Sequence, residues 1–467
     1  MTDTQELCLK TATELRCLID DKTISAVELL NAHLEQIEAT NPTVNAIVTL
    51  APEHALAMAK NVDAQIARGG KTGLLAGLPV AHKDLHNTKG IRTTYGSRIY
   101  KDHVPDENAL IVQRIIDAGA VTLGKTNTPE WGAGSQTFNE VFGATKNPYD
   151  TSKTCGGSSG GAAVALAKGM VPIADGSDMG GSLRNPASFC NVVGFRPSPG
   201  RVPTYPSLSA WFSIPVVGPM ARTVEDCTLL LAAIAGPDPR VPISIDEPGT
   251  NFLNSLQREF KGVKIALSPD FDGQVPVAKS VQKVVTDSSS VFDAIGCKVE
   301  AACPDFSGAD FAFKTLRAWS FAAKHEENIE KYRELYKESI IWNAEQGMKL
   351  KGEDIHKAES ERTSLFRRVV HMMREYEFLV LPVSQVAPFD ITEEYVKEIE
   401  GQKMHTYIDW MQSCYFISCT GLPAISVPYG FTPEGLPVGI QIVGRHHQDF
   451  SVLQLAYAFQ QANTNVM

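Results

Sequence analysis

Two glycine-flanked serine clusters lie close together in the run CGGSSGGAAVALAKGMVPIADGSDMGGSLRNP, residues 155 to 186. Glycines beside a serine let the main chain curl around a reacting carbonyl, which suits a nucleophile, but the same composition also makes turns and helix N-caps. The pattern alone leaves open which serine, if any, reacts. A serine hydroxyl is a weak nucleophile at neutral pH and needs a base. One lysine, Lys83, stands at the end of a short apolar run in GLPVAHKDLHNTKG, at a strand end rather than on a helix face.

Three literal matches compete with that reading. Gly156 to Gly160 satisfies GxSxG, the turn that presents the nucleophile of α/β hydrolases, but that motif needs a strand before the serine and a later Asp and His. The preceding NPYDTSKTC is no strand, and the pair His446–His447 reads as a solvated surface turn. Gly119 to Thr126, GAVTLGKT, fits the phosphate-loop pattern GxxxxGK(S/T), on which a nucleotide-dependent ligase or kinase would be built. There a strand precedes the first glycine and a helix follows the lysine, whereas here the strand lies between the glycines and NTPEW follows. The histidines include no HExxH, so a catalytic metal is not expected.

The elements that must position these residues follow from periodicity. Ser25 and Glu28 form a capping box, and Val27, Leu30, Leu34 and Ile37 then recur at helical spacing. A second helix covers PEHALAMAKNVDAQIARG, and ENALIVQRIIDAG leads from a helix through Gly119 into a strand at Ala120 to Leu123. SSGGAAVALAKGM gives a helix, VPIA a strand, and residues 182 to 190 another helix start with Pro186 in its first turn. Between about 305 and 375 the chain is charged, aromatic and helical, its charges read as a solvated face. Strand signals return in FLVLPVS, AISVPYG and PVGIQIVG. This alternation predicts an α/β protein: one large α/β/α domain whose central, mixed, twisted sheet is flanked by helices.

Composition fits that picture. The 467 residues are 43% hydrophobic and 21% charged, as in ordinary globular proteins, and the net charge of -10 with no basic block argues against nucleic acid as partner. Nine scattered cysteines without a CxxC pair point to a reducing compartment. The polar, acidic start lacks a signal peptide's basic and apolar regions, and no apolar run reaches the roughly 20 residues of a membrane span. The expectation is a cytoplasmic protein without membrane association.

Taken together, LPVAHKDLHNTKG around Lys83, GGSSGG at 156 to 161, DGSDMGGSLRNPASFCNVVGFRPSPGRV at 175 to 202 and TGLPAISVPYGFTPEGLPVGIQIVG at 420 to 444 resemble the amidase signature family of serine hydrolases. The resemblance implies one domain over 1–467, with a catalytic core at 60–240, a variable, largely helical substrate-side region at 245–375, and a segment at 376–467 that completes the sheet. It implies a catalytic trio of Lys83, Ser158 and Ser182, with Ser158 held by a cis peptide bond after Gly157. No metal or organic cofactor is implied.

Each role carries a physical requirement. Lys83 can be a base only if neutral, so it must be buried among hydroxyls rather than carboxylates, and the adjacent Asp84 must point elsewhere. Ser158 would relay the proton between Ser182 and Lys83. Ser182 would attack the carbonyl, with the backbone N–H groups of Met179, Gly180, Gly181 and Ser182 as candidate oxyanion donors, aided by the helix that follows. Asp178 and Arg184 are expected to brace this loop as an ion pair. Ser159 is expected to cap the following helix, and neither Cys155 nor Cys190 is needed as nucleophile.

The implied reaction is hydrolysis of a small, apolar or aryl carboxylic amide through an acyl-enzyme, by a monomer or homodimer. Its pocket is expected to use Trp131, Gly134, Ser135 and Gln136, the LSAWFSIP loop and the helical block. Hydrolases of carbamates or aminohexanoate oligomers and the glutamine-amidase subunit of a tRNA-dependent amidotransferase share the family. Two departures weigh against that subunit: Asn185 stands where it usually has Gln, and NTPEWGAGSQTFN replaces its Met-Asp-Glu-Phe-type run. A non-catalytic relative would have lost one of the trio, and all three are present.

Overall fold

Short apolar runs bounded by glycine, proline or charge become the strands of one mixed sheet, as their spacing requires. In the computed structural model, which describes residues 3–464 and so leaves the first two and last three residues of the expected unit outside the described residues, eleven strands share this sheet. They are β1 (Ile47–Leu50), β2 (Pro79–Lys83), β3 (Val121–Thr126), β4 (Ile173–Asp178), β5 (Val193–Arg196), β6 (Val216–Ala221), β7 (Lys264–Leu267), β8 (Lys298–Ala301), β9 (Phe378–Pro382), β10 (Ala424–Phe431) and β11 (Pro437–Gly444). Their order is β1-β3-β2-β4-β6-β5-β10-β11-β9-β7-β8. Strands β3, β2 and β4 run parallel, the centre is antiparallel, and β9, β7 and β8 are parallel again.

The central strands β2, β4 and β6 are buried along their whole length apart from Ser177, as expected of a sheet covered on both faces. Helix α1 (Ala26–Val44) starts at the expected capping box, Ser25 Oγ accepting from Glu28 N at 3.1 Å and Glu28 Oε2 accepting from Ser25 N at 2.8 Å. Helix α2 (Gly160–Ala167) is sequestered with little amphipathic character, which its alanine and glycine content permits. A Cβ on Gly161 would stand 2.3 Å from Asn127 N, so only glycine lets this helix seat against the end of β3. The short α3 (Arg184–Phe189) follows Ser182.

The region 245–375 is not only helical: it supplies β7 and β8, which form one edge of the sheet, before the helices α4 (Ala309–Tyr332), α5 (Glu338–Met348) and α6 (Gly352–Met372). The phosphate-loop look-alike is a helix end running into β3, with Lys125 fully buried and its Nζ donating to Thr88 Oγ1 at 2.7 Å and to the His86 carbonyl. No stretch of free loop amides remains there to cradle a phosphate. A satellite core of Phe321, Ile329, Ile340, Ile341, Ala344 and Ala133 fastens α4 and α5 over the segment that carries Trp131. No described helix is long and apolar enough to cross a membrane.

Candidate active site

Parallel neighbours deliver their C-terminal ends to one edge of a sheet, the usual place for chemistry in such folds. Strands β2 and β4 pair with Val80 opposite Ile173 and Ala81 opposite Ala174, so Lys83 at one end and Ser177–Asp178 at the other emerge side by side. The Gly157–Ser158 peptide bond is cis, and the segment enters α2 beneath them. Gly157 N donates to Asn185 Oδ1 at 3.1 Å, which ties the first serine cluster to the helix after the second.

Lys83 is fully buried. Its Nζ lies 2.8 Å from Ser158 Oγ, 2.9 Å from Ser159 Oγ and 3.0 Å from Ser177 Oγ. Burial lowers its pKa from 10.5 to about 7, against the opposing pull of the Asp178 and Asp175 carboxylates. Both carboxylates are engaged elsewhere, and Asp84 accepts from Thr94 N and Oγ1. A neutral amine has two N–H donors and one lone pair, so hydroxyls alone can satisfy it. With a pKa of about 7, the uncharged amine is well populated at neutral pH.

Ser182 is 8% exposed and lines a cavity of about 410 Å³ together with Ser158 and Ser177. Among the described residues no hydrogen bond joins the Ser158 and Ser182 hydroxyls; such contacts commonly tighten only once a substrate is seated. The loop ahead of Ser182 is held by Asp178, whose carboxylate accepts from Gly181 N at 2.9 Å, Leu183 N at 3.2 Å and Arg184 Nε at 3.0 Å, and from Arg196 Nη1 at 3.1 Å. Burial opposes ionisation of Asp178, but the two guanidiniums hold its carboxyl well below the usual range. The Asp178–Arg184 pair thus braces the loop.

This bracing narrows the candidate oxyanion donors. The Gly181 N–H is committed to Asp178, which leaves the amides of Met179, Gly180 and Ser182 as the donors without a partner among the described residues. Gly181 adopts φ +117°, and a Cβ there would fall 2.5 Å from Cys414 Cβ, so the loop is closed to any larger residue. At six residues, α3 offers only a modest dipole behind the site.

Other expectations are redistributed. Ser159 does not cap α2; its hydroxyl turns to Lys83. Cys155 and Cys190 are buried thiols, the former pushed up to about 12 by desolvation. His446 packs on Phe366 and lines a separate pocket of about 500 Å³ that contains none of the three catalytic candidates. Of the four pocket residues, only Trp131 reaches the cavity. The chain turns away there, at φ 52° for Trp131 and 71° for Gly132. Gly134 then faces Tyr407, Ser135 Oγ donates to Met411 Sδ at 2.7 Å, and Gln136 Nε2 donates to the Ile391 carbonyl at 2.8 Å, so these three support the site from behind. The 207–212 loop does form a wall, through Leu208 and Phe212, and α4 forms another.

Sequence reasoning missed a buried network behind Lys83. Asp175 accepts Lys83 N at 3.0 Å, bonds His82 Nδ1, and lies 2.8 Å from His86 Nδ1. Burial opposes the charge on Asp175, and the two imidazoles hold its carboxyl far below its ordinary range. The only signal was the histidines at strand-compatible positions beside Lys83, and nothing in the sequence pointed to Asp175 as their partner.

With this geometry in place, comparisons with known proteins are informative. The amidase family model matches residues 28–453. An acylamidase of Rhodococcus erythropolis is 34% identical over 462 residues, covering 98% of this chain and 96% of its own. A glutamyl-tRNA(Gln) amidotransferase subunit of Moorella thermoacetica is 36% identical over 495 residues, covering 98% of this chain and 97% of its own. The crystal structure of a bacterial aryl acylamidase of the amidase signature family superimposes with a TM-score of 0.91 at 29% identity, covering 97% of this chain and 96% of that one.

Proposed function

The chain belongs to the amidase family and is a hydrolase of amide C–N bonds, and we propose that it works by acyl transfer from Ser182, with Ser158 as proton relay and Lys83 as general base. The observation that carries this reading is Lys83 Nζ, fully buried and surrounded by three hydroxyls, with no carboxylate bonded to it among the described residues. Neutral Lys83 accepts the Ser158 proton as Ser158 accepts that of Ser182. Ser182 Oγ attacks the amide carbon, and the oxyanion takes hydrogen bonds from the Met179, Gly180 and Ser182 amides, each such donor worth roughly 3 kcal/mol of barrier. Collapse breaks the C–N bond, and the amine departs with the proton returned through Ser158. Water, deprotonated along the same path, then frees the acid from Ser182.

The cavity supports a small substrate with apolar or aryl groups. Trp131 stacks on Tyr95 with centroids 4.6 Å apart, and Leu208, Val202 and Phe212 supply aliphatic and aromatic wall. A second reading, release of ammonia from glutamine for a partner complex, is favoured by the Moorella relative. One experiment separates these readings: turnover of aryl anilides, aliphatic amides and glutamine, followed by intact-mass analysis after a serine-directed fluorophosphonate. We expect anilide hydrolysis and a single adduct on Ser182. An adduct on another residue overturns the assignment, and turnover of glutamine alone moves the substrate to the second reading.

A further inference from the structure

Helix α4 turns one face to the catalytic cavity through Arg317, Ser320, Phe321 and Lys324, residues three or four apart. Arg317 is 5% exposed, yet among the described residues no carboxylate forms an ion pair with it. Its Nη2 donates to Tyr407 Oη at 3.0 Å, its Nη1 sits 3.6 Å from Met179 Sδ, and its guanidinium lies 4.2 Å over the Phe321 ring. Its Nε–H is buried without a partner among the described residues. Trp131, across the cavity, likewise has a buried Nε1–H without a partner, and Lys324, a more exposed residue, holds its Nζ 4.6 Å over the Trp131 ring. Among the described residues the sole carboxylate lining this cavity is Asp178, which is spent on Arg184 and Arg196.

Buried cations are normally paired, and a buried N–H normally finds an acceptor. Here a buried cation, a more exposed second cation and two unused N–H donors lie around one cavity; each N–H needs an acceptor, and the unpaired charge makes a negative one the best match. Resting on the amidase reading above, we propose that this wall binds an anionic group, in the first instance a carboxylate, carried by the amide substrate. Arg317 and Lys324 supply the charge and Trp131 Nε1 a further hydrogen bond. Arg317 reaches this subsite from beside Met179, a candidate oxyanion donor, so the anion is held within the same small cavity as the scissile carbonyl. The wall has no free acidic group for an ammonium, which favours a simple anion over a zwitterionic amino acid such as glutamine.

Two probe pairs test this: glutaryl- against pentanoyl-4-nitroanilide, with the charge on the acyl side, and 4-(pentanoylamino)benzoate against pentanoylanilide, with the charge on the amine side. The wild type should prefer the charged member of one pair by about tenfold to a hundredfold in kcat/KM, as a charge-assisted contact supplies. Arg317→Gln and, separately, Lys324→Gln should shrink that preference by about tenfold. No charge preference in either pair, or equal loss on charged and neutral probes in both variants, overturns the proposal. Hydrolysis of the neutral anilides with Ser182 labelled leaves the amidase reading intact in that event.

Discussion

Lys83→Met is the most revealing single change, because it removes the amine and keeps a chain of similar length. In the folded protein burial brings the Lys83 pKa from 10.5 down to about 7. Between those values the unfolded chain carries a proton that the folded chain does not, so this group makes stability rise with pH by about 1.4 kcal/mol per unit. The penalty is complete below pH 7 and relieved as pH approaches 10.5. Contributions of all other groups are shared by the two proteins and cancel. Urea unfolding of wild type and variant at pH 7, 8 and 9 should therefore show the wild type gaining roughly 2 kcal/mol on the variant across that range. At pH 7 the burial cost, about 4 kcal/mol, outweighs three hydrogen bonds of about 1 kcal/mol each, so the variant should be at least as stable while inactive. A difference that stays flat from pH 7 to 9 would mean that Lys83 is an ordinary charged lysine in the fold, and the neutral-base mechanism would fall with it. The kinetic counterpart is a kcat/KM that climbs to a plateau with a midpoint near pH 7.

Ser158→Ala should lower kcat by about a hundredfold to ten-thousandfold with KM for a neutral anilide little changed, since the relay acts in proton transfer; unimpaired turnover would remove Ser158 from the proton path. Asp178→Asn should cost about 3 to 5 kcal/mol, because Arg184 and Arg196 are left as buried, uncompensated cations. A melting temperature equal to that of wild type would contradict this. Gly181→Ala should slow Ser182 labelling at least tenfold, the added methyl colliding with Cys414 in a backbone of φ +117°; labelling at the wild-type rate would show that the loop yields.

The candidate catalytic trio could be assigned before the fold because the motifs that carry the family resemblance are local. A strand ending in lysine, a Gly-Gly-Ser entering a helix and a second Gly-Gly-Ser after an Asp each state their geometry within a few residues. The network behind them was not readable. Whether Asp175 meets His82 and His86 depends on β2 and β4 being neighbours, a fact set by sheet order over some ninety intervening residues, and hydrophobic alternation does not encode order. The same limit misplaced Ser159, whose position at a helix start says cap until Lys83 is known to lie above it.

The charges of α4 show why a polar stripe is ambiguous. Helical spacing of polar residues says only that one face avoids apolar contact, and both bulk water and a polar cavity meet that condition. Read along the sequence, Arg317 and Lys324 belong to a solvated face. In the fold, Arg317 is enclosed, stacks on Phe321 and meets the loop that presents Ser182. The side chains that differ between the two readings are the ones left without partners, because a solvated arginine satisfies its N–H groups with water and an enclosed one does not. The unpartnered Nε of Arg317 and Nε1 of Trp131 are therefore the groups on which the proposed anion subsite rests.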